Sequence, residues 1–578
     1  DPEMSRGLGD VYKRQPKAAF EVADSLGFYL QVELPLWSLT VGENPEMNQF
    51  LYNEAKRILS EYGNHPSFCF LSLGNELQPD FEFLGGLLNS VKALDSRHLY
   101  TTTSFTFEKG HGDWPEPHDD FFITQWTKKG WVRGQGVFDV EMPNFNKDYS
   151  ASVDSMPVPV ITHEIGQYAV YPDLKEIEKY TGVLEPLNFK GVKQELENKN
   201  LLEKADDYLS ASGHLAAILY KEEIERAMKT PGISGFQLLD LHDFPGQGTA
   251  LVGLLNAFWE SKGVANAEEF RQFSAPVVPL ARFSKAVYKN NEQFTADIEI
   301  ANYSSEEINN KNIKWALTNA SGQPLQEGII PLTNIKIGGG NIAGKISCSL
   351  SEVKKAERLT LRVSIENSSY KNTWNIWVYP ATLTIEKEEI VVTDKLTETQ
   401  KALAAGKTVL FNPPYQLCAG LQGKFVPVFW SPVHFPKQAG TMGLLLDPTH
   451  KAFAHFPTEG HTNWQWWSLT TQSRTLVIDS IYQHITPLVE CVDNFANNRR
   501  LATLFETNCL NGKLIVCSMD LLNHQDTFPE KKQLLYSLIN YMKSNAFAPV
   551  KSISFEELCS LVKPSSKGKK EETPQSVY

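Results

Sequence analysis

Between Pro16 and Phe258, short apolar runs alternate with amphipathic helical patterns, and this alternation limits the fold more tightly than any other feature. The apolar runs are Phe28–Leu34, Phe68–Leu73, Leu99–Ser104, Phe121–Trp126, Val158–His163 and Ile233–Leu241. Helical patterns lie between them at Asn48–Tyr62, Phe83–Leu94 and Ala211–Met228. Strand–helix alternation predicts parallel βα units, and six strands in succession favour a barrel over a short open sheet. Eight would be needed to close a (β/α)8 TIM barrel. Residues 16–275 are therefore expected to form an incomplete barrel that lacks its first strands.

After Ala275-Pro-Val-Val-Pro279 the pattern changes to short alternating strands separated by Gly, Asn and Ser turns. Phe294–Asn302, Ile313–Thr318, Ser347–Leu350, Leu359–Ile365 and Asn372–Val378 predict an Ig-like β-sandwich over 276–381. Strands and helices mix again over 382–562, with strands expected at Ile390–Val392, Thr408–Phe411, Thr475–Ile478 and Lys513–Ser518 and helices at Glu398–Ala405 and Lys531–Lys543. That region is expected to be an α/β accessory domain. Residues 563–578 are polar and expected to be a disordered tail. Residues 1–15 have no signal-peptide core, and Gly7–Gln15 looks like sequencing-adapter read-through, so they are expected to be a non-native leader on a metagenomic fragment. At 578 residues, a multidomain chain of three or four domains is the expectation.

Composition removes several function classes. The formal net charge of −13 is spread along the chain, against a nucleic-acid partner, which needs clustered Lys and Arg. No stretch approaches the length of apolar sequence that spans a bilayer. Seven cysteines stand without metal-ligand spacing, so neither a structural zinc site nor a disulfide framework is expected. No metal and no cofactor are expected. Localisation is unknown from the sequence; a periplasmic or extracellular place is compatible with it, as is a homo-oligomer.

Two apolar strands end in a carboxylate. Gly63-Asn-His-Pro-Ser-Phe-Cys-Phe-Leu-Ser-Leu-Gly-Asn-Glu76 brings Glu76 to a strand's C-terminal end, and Pro157-Val-Pro-Val-Ile-Thr-His-Glu164 does the same for Glu164. Barrel active sites are built at that end. Two carboxyl groups at one mouth are the minimum equipment for glycoside hydrolysis, one donating a proton and one remaining ionised. Taken singly, each is equally a solvated loop carboxylate or an ion-pair partner.

The wording around them resembles glycoside hydrolase family 2, the β-galactosidase and β-glucuronidase family. Gly63–Glu76 is similar to that family's signature, Leu94-Asp-Ser-Arg-His98 to the helix–strand junction that follows, Gly27–Glu33 to its third strand and Thr162-His-Glu164 to its seventh. The resemblance covers about 230 residues. It implies a retaining exo-β-glycosidase, β-galactoside-like, acting on terminal sugars of an oligo- or polysaccharide, with Glu76 as acid/base, Glu164 as nucleophile and Asn75 on the sugar 2-hydroxyl. Where the family's sixth strand ends in Tyr, this chain has Gln125 or Trp126; near the Trp of the eighth strand it has Leu, followed by Asp240, His242 and Asp243. Glu33, Trp37, Trp126, His163, Asp240 and His242 join Asn75 as candidate substrate-binding residues. The resemblance also implies domains and two barrel strands upstream of Pro16. Expressed alone, the chain is expected to be poorly soluble and nearly inactive.

Three further stretches have alternative readings. His111, Asp113, His118, Asp119 and Asp120 crowd one loop that is expected to be solvated rather than metal-binding. His461-Thr-Asn-Trp464-Gln-Trp466-Trp467 is either packed or a stacking platform for sugars. The last domain faintly resembles glutamine-amidotransferase-like accessory domains, but Cys418 lacks a nucleophile elbow, so that domain is expected to be non-catalytic. The rival to the enzyme is a carbohydrate-binding protein on a retired hydrolase barrel, and a scaffold role would rest on the last domain alone.

Overall fold

Helix capping and apolar periodicity set the elements of the first unit. In this computed structural model, residues 16–562 are described apart from 135, 247, 332–333 and 387–388. The predicted leader and tail lie outside them. Asn44 caps the helix Pro45–Tyr62 by accepting from the Glu46 and Met47 amides, and Pro45 opens it at a position where a missing N–H costs nothing. Asp80 caps Phe81–Leu94 in the same way through Glu82 and Phe83. The faces Leu51/Ala55/Ile58/Leu59 and Leu84/Leu87/Leu88/Val91 recur at helical spacing and pack on Val32, Leu34, Leu71 and Leu73 from the strands.

Six parallel strands follow one another in this unit: β1 (Leu30–Glu33), β2 (Phe68–Ser72), β3 (Leu99–Thr101), β4 (Phe122–Thr124), β5 (Val160–Gly166) and β6 (Ile233–Leu239). They form two three-stranded sheets, β1-β2-β3 and β4-β5-β6, joined through single bridges from Ser104 to Asn75 and to Ile123. The expected barrel is thereby corrected. Among the described residues no clear barrel is formed, because β3 and β4 are three residues each and meet only at one bridge. Side chains nevertheless reach across from the first strand to the last: Gln237 Nε2 on β6 donates to Gln31 Oε1 on β1 at 3.0 Å.

The chain divides into two compact units that do not follow its linear order. Among the described residues, the first holds 16–134, 147–167 and 220–261; the second holds 136–146, 168–219 and 262–562. In the second unit, a three-stranded antiparallel sheet runs 338–349, 293–302, 277–282, and a five-stranded sheet runs 287–289, 371–379, 357–365, 312–318, 324–331. Alternating Leu359, Leu361, Val363 and Ile365 are buried there, as a period-two pattern requires. The strands 277–282 and 324–331 escape sequence reading because Pro279, Pro324 and Pro331 punctuate them. Residues 390–562 carry a nine-stranded mixed sheet, parallel through 390–393, 408–411 and 512–517 and antiparallel beyond, except that 552–553 pairs in parallel with 501–509. The protein is multidomain, with β-rich and helical regions.

Candidate functional site

Glu76, just past β2, and Glu164, near the end of β5, both have left-handed backbone, at φ 52° and 47°. Such conformations cost a non-glycine residue on the order of 1–3 kcal/mol and persist only where the surroundings enforce them. At Glu76 the enforcement comes from neighbouring strands: its N–H donates to Ser104 O, and Asn75 bridges Ser104. At Glu164 it is a bulge. Thr162 and Ile165 on β5 face Phe236 and Leu238 on β6, so β5 holds one extra residue there. The strand thus continues to Gly166 rather than ending at His163 as predicted. The bulge lets adjacent side chains approach one another, with His163 Nε2 lying 3.4 Å from Glu164 Oε1.

Each carboxyl has its own partners. Trp37 Nε1 donates to Glu76 Oε2 at 3.1 Å. Gln167 Nε2 donates weakly to Glu164 Oε2 at 3.4 Å, and Arg133 Nη2 holds Gln167 Oε1 at 2.9 Å. Arg133 is fully buried, and its Nε and Nη1 have no hydrogen-bond partner among the described residues. Glu223 fixes this corner by accepting from Gly134 N (2.6 Å) and Gly166 N (3.1 Å). Only glycine fits at 166, since φ is 89° and a Cβ would lie 2.1 Å from the Tyr220 ring.

Burial pushes Glu76 up to about 7, and the neighbouring Glu164 charge adds to it; Trp37, His163 and Arg133 oppose. Burial also pushes Glu164 up to about 7, against Arg133 and Gln167. The Glu164 bond to Gln167 is long, and desolvation outweighs it. The order within the pair still favours Glu164 as the first to ionise. Arg133 is the leading opponent of the rise at Glu164, and the resulting charge holds the proton on Glu76. Burial lowers His163 to about 4, so its ring is neutral at ordinary pH.

The other candidates fall around these two. Asn75 is buried, with Oδ1 unpartnered. Trp37 is half-exposed, and Trp126 is half-buried against Phe105 and Trp131. Gln125, beside Trp126, is fully buried. Glu33 is buried and accepts from Gln31 and Ser104. Asp240 and His242 follow β6, buried, 3.6 Å apart; the exposed Trp259 stands edge-on to His242.

One loop expectation changes. The His111–Asp120 loop is laced into the fold rather than solvated. Asp119 accepts from Thr102 N and Oγ1, Asp120 from Tyr100 N and Lys92, and His111 pairs with Glu116 while stacking on Phe81. No group of side chains suited to a metal occurs among the described residues. The Trp464–Trp467 stretch is packed: Trp466 and Trp467 are buried with their N–H groups bonded to Thr458 and to Phe138 O. Of the two alternatives the structure shows packing, with the half-buried Trp464 set against Phe138, Phe145 and Phe425. Burial raises the Cys418 thiol to about 12.

Sequence reasoning missed Arg133, Gln167, Gln31 and Gln237. For Gln31 a signal existed: Gln31 and Glu33 are same-face polar residues in a strand otherwise apolar. Arg133 sits in a loop without periodicity and gave none.

Two family models match parts of the chain, "Domain of unknown function (DUF8488)" over 292–380 and "Domain of unknown function (DUF8487)" over 391–563. No curated protein matches. Among solved structures, the chain is similar to a beta-D-mannosidase from Dictyoglomus thermophilum at 15% identity and TM-score 0.46, covering 68% of this chain and 48% of that one. It is similar to the exo-chitosanase CsxA of Amycolatopsis orientalis at 12% identity and TM-score 0.40, covering 64% and 44%. A beta-glucuronidase of Parabacteroides merdae gives 12% identity and TM-score 0.31, covering 66% and 44%. The chain spans about half the length of the solved structures it matches.

Proposed function

We propose that this chain carries the catalytic carboxyl pair of a retaining exo-β-glycosidase. The observation that carries this reading is the pairing of Glu76 and Glu164: glutamates near the C-terminal ends of β2 and β5, both in left-handed backbone, electrostatically coupled, and held by different partners. In the mechanism, Glu76 holds a proton near neutral pH and gives it to the leaving glycosidic oxygen. Glu164 ionises first and attacks the anomeric carbon, forming a glycosyl ester. Glu76, now a carboxylate, takes a proton from water that hydrolyses the ester, and both groups return to their starting states. Asn75 is the candidate partner of the sugar 2-hydroxyl, with its free Oδ1 as acceptor. Trp37 is the candidate wall of the mouth, and Trp126, His163, Asp240 and His242 are the remaining candidate contacts. The resemblance favours a β-galactoside as substrate.

The test is trapping with 2-deoxy-2-fluoro-β-glycosides, beginning with the galactoside, followed by peptide mass spectrometry. An adduct on Glu164, absent from Glu164→Gln, is the expected result. Reversible sugar binding with no adduct and no turnover of any aryl β-glycoside would overturn the reading. An inverting enzyme would leave the carboxyls roughly 6.5–9.5 Å apart and form no ester, whereas a retaining one needs about 5–5.5 Å.

A further inference from the structure

Inside the first unit, a row of buried amide side chains leads from β1 to the candidate nucleophile. Gln31 Nε2 donates to Glu33 Oε1 at 2.9 Å and to Ser104 Oγ at 3.1 Å, and Ser104 Oγ itself donates to Glu33. Gln31 Oε1 accepts from Gln237 Nε2 at 3.0 Å, and Gln237 Oε1 lies 3.0 Å from His163 Nδ1. His163 Nε2 then faces Glu164 Oε1 at 3.4 Å. Gln31, Glu33, Ser104, His163 and Gln237 are each less than a tenth exposed.

The sense of this row is set at one end. Glu33 Oε1 accepts from both Gln31 Nε2 and Ser104 Oγ, which turns the Gln31 amide N–H toward it. The Gln31 carbonyl is then left to accept from Gln237, and the Gln237 carbonyl is turned to His163. Nδ1 must carry the ring proton, and Nε2 of a neutral ring must present a lone pair to Glu164.

We propose that Glu33 is the anchor of a hydrogen-bond relay, through Gln31 and Gln237, that locks His163 in the Nδ1–H tautomer and makes Nε2 an acceptor aimed at Glu164. Glu33, Gln31 and Gln237 are positioning residues in this scheme. An acceptor at that place gives ionised Glu164 no hydrogen bond from His163, leaving Oε1 available for chemistry, and it welcomes the proton whenever Glu164 is neutral. The charged or titratable groups that act on Glu164 and His163 are Arg133, through Gln167, and Glu76; Phe105 closes the ring side of His163. The acceptor for the Nδ1 proton is the Gln237 carbonyl of the relay. The relay's effect on the reaction rests on the glycosidase reading; its effect on the tautomer does not.

The experiment is ¹⁵N NMR of the full chain labelled on histidine, with the His163 signals identified by their loss in His163→Gln. The expected pattern is protonated Nδ1 and bare Nε2 across pH 6–8. In Glu33→Gln the anchor is an amide able to donate, the relay loses its fixed sense, and a mixture of tautomers is expected. With Nε2–H now donating to Glu164, the acid limb of kcat/KM should fall by about one pH unit. Gln237→Met breaks the row at its middle while leaving Glu33 in place, and should give the same loss. Finding Nε2–H in the unsubstituted protein, or an unchanged His163 pattern in both variants, would overturn the relay. A tautomer change with no glycosidase activity in any variant would retain the relay and remove the functional reading instead.

Discussion

Replacing Glu164 with Gln should abolish turnover and yet stabilise the folded protein, and the gain should depend on pH. Folded Glu164 binds its proton more tightly than an unfolded glutamate, having risen from 4.5 to about 7. The favourable contribution of that proton is fully present below pH 4.5 and is lost as pH rises through about 7. At about 1.4 kcal/mol for each pH unit, keeping ionised Glu164 inside the fold costs on the order of 3 kcal/mol. Glutamine has nearly the same shape and never ionises. Loss of the Glu164 charge also lets Glu76 ionise more easily, in the same direction, although burial, its larger cause, keeps Glu76 raised. At pH 8.5 the transition of the unit that holds the site should therefore rise by roughly 5–10 °C. At pH 4, where both chains are neutral at this position, the difference should shrink to about a degree. Calorimetric scans of the two full chains at both pH values decide the matter. An equal gain at pH 4 and 8.5, or none at 8.5, would refute the claim that a desolvated charge sits at Glu164.

Three further outcomes can be checked on the same preparation. Arg133→Met removes a buried positive charge that opposes the rise of both carboxyls, so the acid limb of kcat/KM should move to higher pH, read in a pH–rate profile. Trp37→Phe deletes the 3.1 Å bond to Glu76, so Glu76 should titrate higher, the alkaline limb should move up, and kcat/KM should fall by roughly ten-fold in an aryl-glycoside assay. Cys418, buried with its thiol raised to about 12, should resist iodoacetamide at pH 8, and Cys418→Ser should leave turnover unchanged.

The parts of the fold that depend on local pattern were legible. The helix predicted at Asn48–Tyr62 is found at Pro45–Tyr62 behind its Asn44 cap, and each of the six apolar runs overlaps a strand, because burial on both faces imposes continuous apolar text. Long-range relations were not legible. Nothing in Leu99–Ser104 or Phe121–Trp126 foretells that β3 and β4 stop at three residues and touch only through Ser104. The carboxyl pair could be read because Asn75-Glu76 and His163-Glu164 end apolar runs. Arg133 and Gln167 could not, since the contact between them joins a loop to a strand end across 34 positions. The Trp464–Trp467 cluster had to be left between two alternatives, because indole density is the same whether ring faces meet sugar or protein.

The strain and the buried charge at this site fall on the same two residues, and that coincidence has a physical reason. A strand presents alternate side chains to opposite faces, so a regular β5 would turn His163 and Glu164 away from each other. The bulge and the left-handed turn at Glu164 break that alternation and bring both groups to one place. Glu76 reaches the same region from β2 by a left-handed turn of its own. Backbone energy is therefore spent to bring close two carboxyls whose mutual repulsion then raises one of them. Neither cost serves the stability of the unit, which is supplied by the aliphatic packing of Val32, Leu71 and the two capped helices. Selection for folding alone would relax the bulge and replace the glutamates with neutral residues. Their joint persistence in strained, desolvated positions is what chemistry on a substrate would require of them.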